Sequence, residues 1–390
     1  MIKFWSYKNE YLSIRKLLLS DLDKTLKSEN LFFGNELNKF EKNFTKKNNL
    51  KYGAAVASGT DALIIALRAI GIKNGDEVIT VSNTAIPTVS AIKSVGAVPV
   101  FVDINIEYLM DVNSIKNKIT KKTKAIMPVH LYGKACEMDK IIKISKKYKL
   151  RIIEDCAQAQ GAKYKGRNVG SMGDLGCFSF YPTKILGCYA DGGFVSTNSY
   201  KIYKEIIRLR FYGIETVDKN NRYFKKYYSV SDGINSRLSE INATILNLKL
   251  KEVEKNIRKR ISIARFYCNE LKNSGLILPK IQSLNNRHVF HLFVVYHKKR
   301  NEIIRLLKKK GIEIRIHYPY PIHSMKANKK LVRNNYHSLK ITDKMSSGIF
   351  SLPLYPTIKK NELFYIVKNI IKIMIKLNQR SGLNALSKKI

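Results

Sequence analysis

Residues 124–158 read KAIMPVHLYGKACEMDKIIKISKKYKLRIIEDCAQ. Two short apolar runs, KAIMPVHLYG (124–133) and RIIEDCAQ (151–158), flank a helical pattern, MDKIIKISKKYK (138–149). Parallel strands need a crossover of a dozen or more residues, usually a helix, so strand–helix–strand is the building unit of a parallel sheet. The second run is apolar on both faces until it reaches Glu154 and Asp155. That suits a strand covered by helices on both sides.

The same alternation extends in both directions. Upstream lie GAAVAS (53–58), the helical TDALIIALRAI (60–70), EVITVS (77–82), the helical IPTVSAIKSV (86–95) and PVFVDI (99–104), followed by a helix expected near 111–119. Downstream, CFSFY (177–181) and GGFVSTN (192–198) are two further strand candidates. Together they predict a doubly wound α/β domain. After about residue 240 the pattern changes. INATILNLKLKEVEKNIRKRISIARFYCNELKN predicts one long helix or two in tandem. HVFHLFVVYH (288–297), a helix at 301–309, GIEIRIHYPYP (311–321) and an amphipathic helix over 361–377 suggest a smaller α+β domain, with 378–390 expected to fray.

The chain has 390 residues and a formal net charge of +41. Its basic residues are spread along the whole length. There is no arginine-rich helix, zinc knuckle or RNA-binding aromatic signature, so nucleic acid is not an expected partner. Compositional bias is the favoured reading, and a positive field would also gather anionic small substrates. The five cysteines show no metal spacing and suit a reducing cytoplasm. No metal is expected. No stretch has the length of a membrane span, and the first residues lack a secretory signal's apolar region.

Three constellations carry chemistry. SGTDAL (58–63) sits at a strand-to-helix junction, where free N–H groups and the helix dipole favour an anion such as phosphate; a capped helix start without ligand is the competing reading. IIEDCAQAQGA puts Glu154, Asp155 and Gln158 at the carboxyl end of a strand, where ligands bind in open α/β sheets. FSFYPTKILG (178–187) places Lys184 directly after an apolar strand. An ammonium there is costly unless compensated. It is either a snorkelling lysine or a nucleophilic amine able to form Schiff bases with carbonyl compounds. A phosphate turn, an acid and a lysine, in that order, make up a pyridoxal phosphate site.

At this point the sequence resembles the DegT/DnrJ/EryC1/StrS family of sugar aminotransferases over roughly residues 25–375. The motifs are GNELNKFEKNF, SGTDALIIALRAIGIKNGDEVI, GAVPVFVDI, PVHLYG, IIEDCAQAQGA, GSMGDLGCFSFYPTKILG, DGGFVST, GINSRLSEINATIL and HYPYPIH. The resemblance implies a fold type I, aspartate-aminotransferase-like architecture. A large α/β domain (1–245) would hold a mostly parallel seven-stranded sheet flanked by helices, with a smaller α+β domain at 246–390. It implies pyridoxal 5'-phosphate as cofactor and Lys184 as the Schiff-base lysine and general acid/base. Asp155 would face the pyridinium nitrogen, and Gln158 would lie beside the ring and its phenolic oxygen. Gly59, Thr60 and Ser179 match phosphate contacts. Asn235 matches an asparagine reaching the phosphate from a second subunit, which implies a homodimer with sites at the interface. Arg237 is open between a substrate contact and a structural role. Tyr181, His317 and His323 match residues placed near the substrate; an ordinary hydrogen-bonding role competes for each histidine. Ala85 matches a position that is aromatic in many members, where the ring stacks on the cofactor. A small residue there resembles the branch that aminates carbon 3 of nucleotide-linked 3-keto-6-deoxy sugars.

The implied reaction moves an amino group from L-glutamate to a nucleotide-linked keto-6-deoxyhexose for surface-polysaccharide or glycan biosynthesis. The alternatives are 4-amination by the same family, or a pyridoxal-phosphate-binding regulator without turnover. Lys184 argues against the related sugar dehydratases, which replace it. No arginine suited to the second carboxylate of an amino-acid substrate stands out.

Overall fold

The computed structural model describes residues 1–214, 228–328 and 339–386. The chain opens with helices α1 (Lys8–Lys27) and α2 (Asn35–Lys47). An alternating series follows: β1 (Tyr52–Val56), α3 (Gly59–Ala69), β2 (Glu77–Val81), α4 (Ile86–Ser94), β3 (Val98–Val102), β4 (Thr123–Ile126), α5 (Met138–Tyr148) and β5 (Arg151–Asp155). A small hairpin, β6 (Lys163–Tyr164) and β7 (Arg167–Asn168), leads to β8 (Leu175–Ser179), β9 (Gly193–Thr197) and α6 (Tyr200–Leu209).

Seven strands form one sheet in the order β1-β9-β8-β5-β4-β2-β3. β8, β5, β4, β2 and β3 run parallel, and β9 lies antiparallel to both β8 and β1. The mostly parallel sheet expected from the sequence is therefore present.

The period-two alternation of β8 decides what surrounds Lys184. Phe178 and Phe180 point to the α2 side, where Phe40 and Phe44 meet them and Phe194 edge-on or tilted. Cys177 and Ser179 point to the other side. Cys177 Sγ contacts the Ala62 carbonyl, and Ser179 packs against Gly59. The aromatic run thus serves the core, while alternate residues face the start of α3.

Two tandem helices, α7 (Glu240–Leu250) and α8 (Val253–Leu271), lead out of this layer. α7 packs on α1 and α2. The buried residues of α8 change allegiance along its length. Ile257 belongs with the sheet core, whereas Ile263, Tyr267 and Leu271 join a second core. That second core contains β10 (Phe293–Tyr296), α9 (Arg300–Lys309), β11 (Ile349–Leu352) and a C-terminal helix, Lys360–Leu386.

Three local expectations change. Residues 111–119 form two single 3-10 turns, Val112–Ser114 and Lys116–Lys118, instead of a helix. Asp111 caps the Asn113 N–H, and asparagine, serine and β-branched residues favour such turns over a helix. In HVFHLFVVYH only Phe293–Tyr296 is strand, because the preceding residues bond to Tyr132 and Gly133 instead. The C-terminal helix continues to Leu386 through most of the tail expected to fray; residues 387–390 lie outside the described residues.

Candidate active site

Asp155 ends β5, and its neighbour in register on β8 is Cys177. Lys184 follows β8 after a turn in which its own N–H donates to the Tyr181 carbonyl. Gly187 closes that turn; a Cβ there would lie 2.6 Å from the Tyr181 carbonyl oxygen. Adjacent strands therefore deliver acid and amine to one end of the sheet. Each feels the other's charge.

The Asp155 carboxylate is buried. Oδ2 accepts from Thr88 Oγ1 at 2.8 Å and Oδ1 accepts from the Ala157 N–H at 3.1 Å. Burial raises its pKa, opposed by those two hydrogen bonds and by Lys184. Thr88 in turn meets Thr84 Oγ1 at 2.8 Å. The half-buried Lys184 amine has no hydrogen-bond or ion-pair partner among the described residues. Desolvation lowers its pKa to about 8, against the pull of Asp155. An amine so held is neutral in a large fraction of molecules at mildly basic pH, as a nucleophile requires.

The turn expected to hold phosphate is built as a cradle. Ser58 caps α3 by accepting from the Asp61 N–H at 3.0 Å. The N–H groups of Gly59 and Thr60 find no acceptor among the described residues. A Cβ on Gly59 would come within 2.6 Å of Ser179 Cβ, and one on Gly193 within 2.2 Å of the Ser58 carbonyl oxygen. Only glycine lets these three segments converge. Free donors at a helix N-terminus, a hydroxyl at the adjoining strand end, a buried carboxylate and an unpartnered amine fit pyridoxal phosphate.

Gln158 is fixed at both ends of its amide. Oε1 accepts from the Tyr132 N–H at 2.8 Å, and Nε2 donates to Tyr318 OH at 2.9 Å. Burial pushes the Tyr318 phenol up to about 12, so it stays protonated. Tyr132 OH donates to the His317 carbonyl. His317 shares a hydrogen bond with Ser351 Oγ at 2.9 Å and is lowered to about 4 by burial, Arg315 and Lys184. His317 is thus within electrical reach of the amine.

The other expected residues are less concentrated. Tyr181 is half exposed beside Lys184. Ala85 is the N-cap of α4, three residues from Thr88. His323 bonds Ser82 Oγ at 2.7 Å and approaches Asp343 at 3.1 Å, so its ring ties two segments together. Asn235 is exposed, and its Oδ1 accepts from Arg237 Nε at 2.9 Å. The Arg237 guanidinium lies over the Phe32 ring at 4.4 Å. Its neighbour Ser236 turns inward to Asp61 and the Ala57 N–H.

Sequence reading missed Thr88, Tyr132 and Tyr318, which hold Asp155 and Gln158. Thr88 lies in the helix after Ala85, and nothing in its local pattern marks it. It also left Glu154 unassigned. That carboxylate accepts from the N–H groups of Gly170, Met172 and Gly173 and shares a hydrogen bond with His130 Nε2 at 2.9 Å. His130 Nδ1 already accepts from the Cys136 N–H, so the ring donates through Nε2. Glu154 orders the loop before β8 and leaves Asp155 alone to face the site.

The sequence profile described as the DegT/DnrJ/EryC1/StrS aminotransferase family matches residues 13–371. The chain belongs to the DegT/DnrJ/EryC1/StrS aminotransferase family. The aminotransferase is 41% identical over 361 residues to a Micromonospora megalomicea subsp. nigra protein named dTDP-3-amino-3,4,6-trideoxy-alpha-D-glucose transaminase, covering 91% of this chain and 94% of that one. It is 39% identical to the dTDP-3-amino-3,6-dideoxy-alpha-D-galactopyranose transaminase of Aneurinibacillus thermoaerophilus, covering 95% and 99%. Its fold superposes on S. venezuelae DesV, solved in complex with a ketimine intermediate, with a TM-score of 0.89 at 32% identity, covering 96% and 98%. The enzyme is a pyridoxal-phosphate-dependent sugar-nucleotide aminotransferase.

Proposed function

We propose that this aminotransferase moves an amino group from L-glutamate to carbon 3 of a dTDP-linked 3-keto-6-deoxyhexose. The observation that carries the general chemistry is the pairing of Asp155 with a free, pKa-lowered Lys184 beside the Gly59–Thr60 turn. Pyridoxal phosphate bound there supplies the electron sink for the carbon being deprotonated. The buried Asp155 carboxylate, steadied by Thr88, holds a proton at the ring nitrogen. The Gly59 and Thr60 N–H groups and Ser179 bind the phosphate. Gln158, fixed by Tyr132 and Tyr318, sets the edge of the site. Lys184 Nζ takes the donor's α-proton and returns it as general acid, for which a flexible stem suits better than a guanidinium.

The carbon-3 assignment is supported by the names of the relatives at 41% and 39% identity and by Ala85, whose methyl leaves room where many members have a ring. The competing reading is amination at carbon 4. Incubation with glutamate and a panel of 3-keto and 4-keto sugar nucleotides, followed by product NMR, separates the two. A product aminated at carbon 3 is expected; one aminated at carbon 4 overturns the assignment.

The enzyme works in this reading as a cytoplasmic homodimer. Asn235 is exposed beside Arg237, and Leu31, Phe32 and Phe33 are exposed nearby, which suits an interface through which Asn235 reaches the other subunit's phosphate. The five cysteines are all free thiols, as a reducing compartment keeps them.

A further inference from the structure

The positive charge is unevenly distributed. Of the 71 basic residues 32 follow residue 245, but only seven of the 30 acidic ones do. Part of this excess is organised on the C-terminal helix. Ile366, Ile370, Ile373 and Leu377 bury one face of it. On the opposite face Phe364, Lys368, Lys372 and Lys376 follow one another at four-residue spacing and are all exposed. Tyr365 and Ile375 flank this line, and Phe364, Tyr365 and Ile375 are 48%, 44% and 53% exposed. Tyr365 OH donates to the Lys310 carbonyl, so the exposed lysine run 308–310 that ends α9 adjoins the same face. None of Lys368, Lys372 and Lys376 has an ion-pair partner among the described residues.

We propose that this face docks the enzyme onto an anionic lipid bilayer. Lysines on an amphipathic helix reach headgroup phosphates, while aromatic and aliphatic side chains between them enter the boundary of the acyl region. The contact proposed is peripheral, with the helix lying in the plane of the interface; no helix among the described residues is long and apolar enough to cross a membrane. Phe364 packs edge-on against Phe266 and still leaves about half its surface exposed, as does Ile375. A nucleic-acid duplex would use the lysines but not this exposed apolar surface, which favours the bilayer.

The holoenzyme is tested by co-sedimentation with phosphatidylcholine vesicles, with and without phosphatidylglycerol, at physiological ionic strength. The triple variant Lys368→Gln, Lys372→Gln, Lys376→Gln is compared with Lys143→Gln, Lys146→Gln, Lys147→Gln, which removes the same charge from exposed positions of α5. Wild type binds only the anionic vesicles, the first variant binds them about tenfold or more weakly, and the α5 variant binds like wild type. Phe364→Ser with Ile375→Ser also weakens binding, at unchanged net charge. Circular dichroism confirms that each variant folds. Absence of wild-type binding, or equal weakening by the two triple variants, overturns the proposal. Tighter binding to duplex DNA than to the vesicles, lost in the first triple variant, would reassign the face to nucleic acid and overturn it as well.

Discussion

Lys184 is expected to react as an amine of pKa about 8. Desolvation lowers its folded pKa, so below about pH 8 the group is a protonated, non-nucleophilic ammonium and above it a neutral amine. Uptake of pyridoxal phosphate by the apoprotein, followed by its absorbance change, therefore accelerates as pH rises through about 8 and levels off beyond. A flat profile over that range would mean that the amine does not titrate there. Thr88 governs the other half of the pair. Thr88→Val keeps the side-chain shape but removes the hydrogen bond to the buried Asp155 carboxylate. Such a bond to a charged group contributes about 1.5–3 kcal/mol, which corresponds to roughly 10- to 100-fold in kcat/KM if Asp155 loses its alignment. Wild-type kcat/KM in this variant would remove Thr88 from the site.

Among the elements, the junction of β1, α3 and β8 is the least forgiving. Gly59→Ala introduces a Cβ 2.6 Å from Ser179 Cβ, an approach that the strand and helix must yield to. Cofactor affinity, measured by equilibrium dialysis, is expected to fall while the aromatic packing of Phe40 and Phe44 on the far face is retained. Unchanged affinity would show that the cradle has slack. The same elements explain what the sequence made legible. The β5 strand announced itself because it is apolar on both faces up to Glu154, and the order of turn, acid and lysine followed from the α/β alternation. Two kinds of feature were hidden. One is partnership across long separations. Thr88 is 67 residues from Asp155 and Tyr318 is 160 from Gln158, so no local pattern links them. The other is the choice between short structures of similar composition. The Val112–Lys118 segment folds as 3-10 turns, and the direction of β9 depends on pairing that side-chain periodicity does not encode.

On the scale of the whole molecule, a shared site makes a prediction that a self-contained one does not. Lys184→Ala and Asn235→Ala are each expected to be inactive or severely impaired as pure proteins. If Asn235 serves the partner's site, a mixed dimer of the two has one site in which both residues are intact. Random reassortment of equal amounts then restores up to about a quarter of wild-type activity. No recovery after verified subunit exchange would place Asn235 in its own chain's site or outside both. The same architecture separates the second core from the sheet. Tyr318 and His317 lie on a segment flanked by that core, yet they bond Gln158 and Tyr132 of the sheet layer. The Gln158 side of the candidate site is therefore held from both layers of one chain.

Which lysine carries the cofactor can be read directly. Borohydride reduction of the holoenzyme, proteolysis and mass mapping of the pyridoxyl-modified peptide give the answer in one measurement. The predicted result is a single adduct on Lys184, in the peptide containing FSFYPTKILG. An adduct on any other of the chain's lysines, or none in cofactor-saturated protein, would contradict the assignment of Lys184.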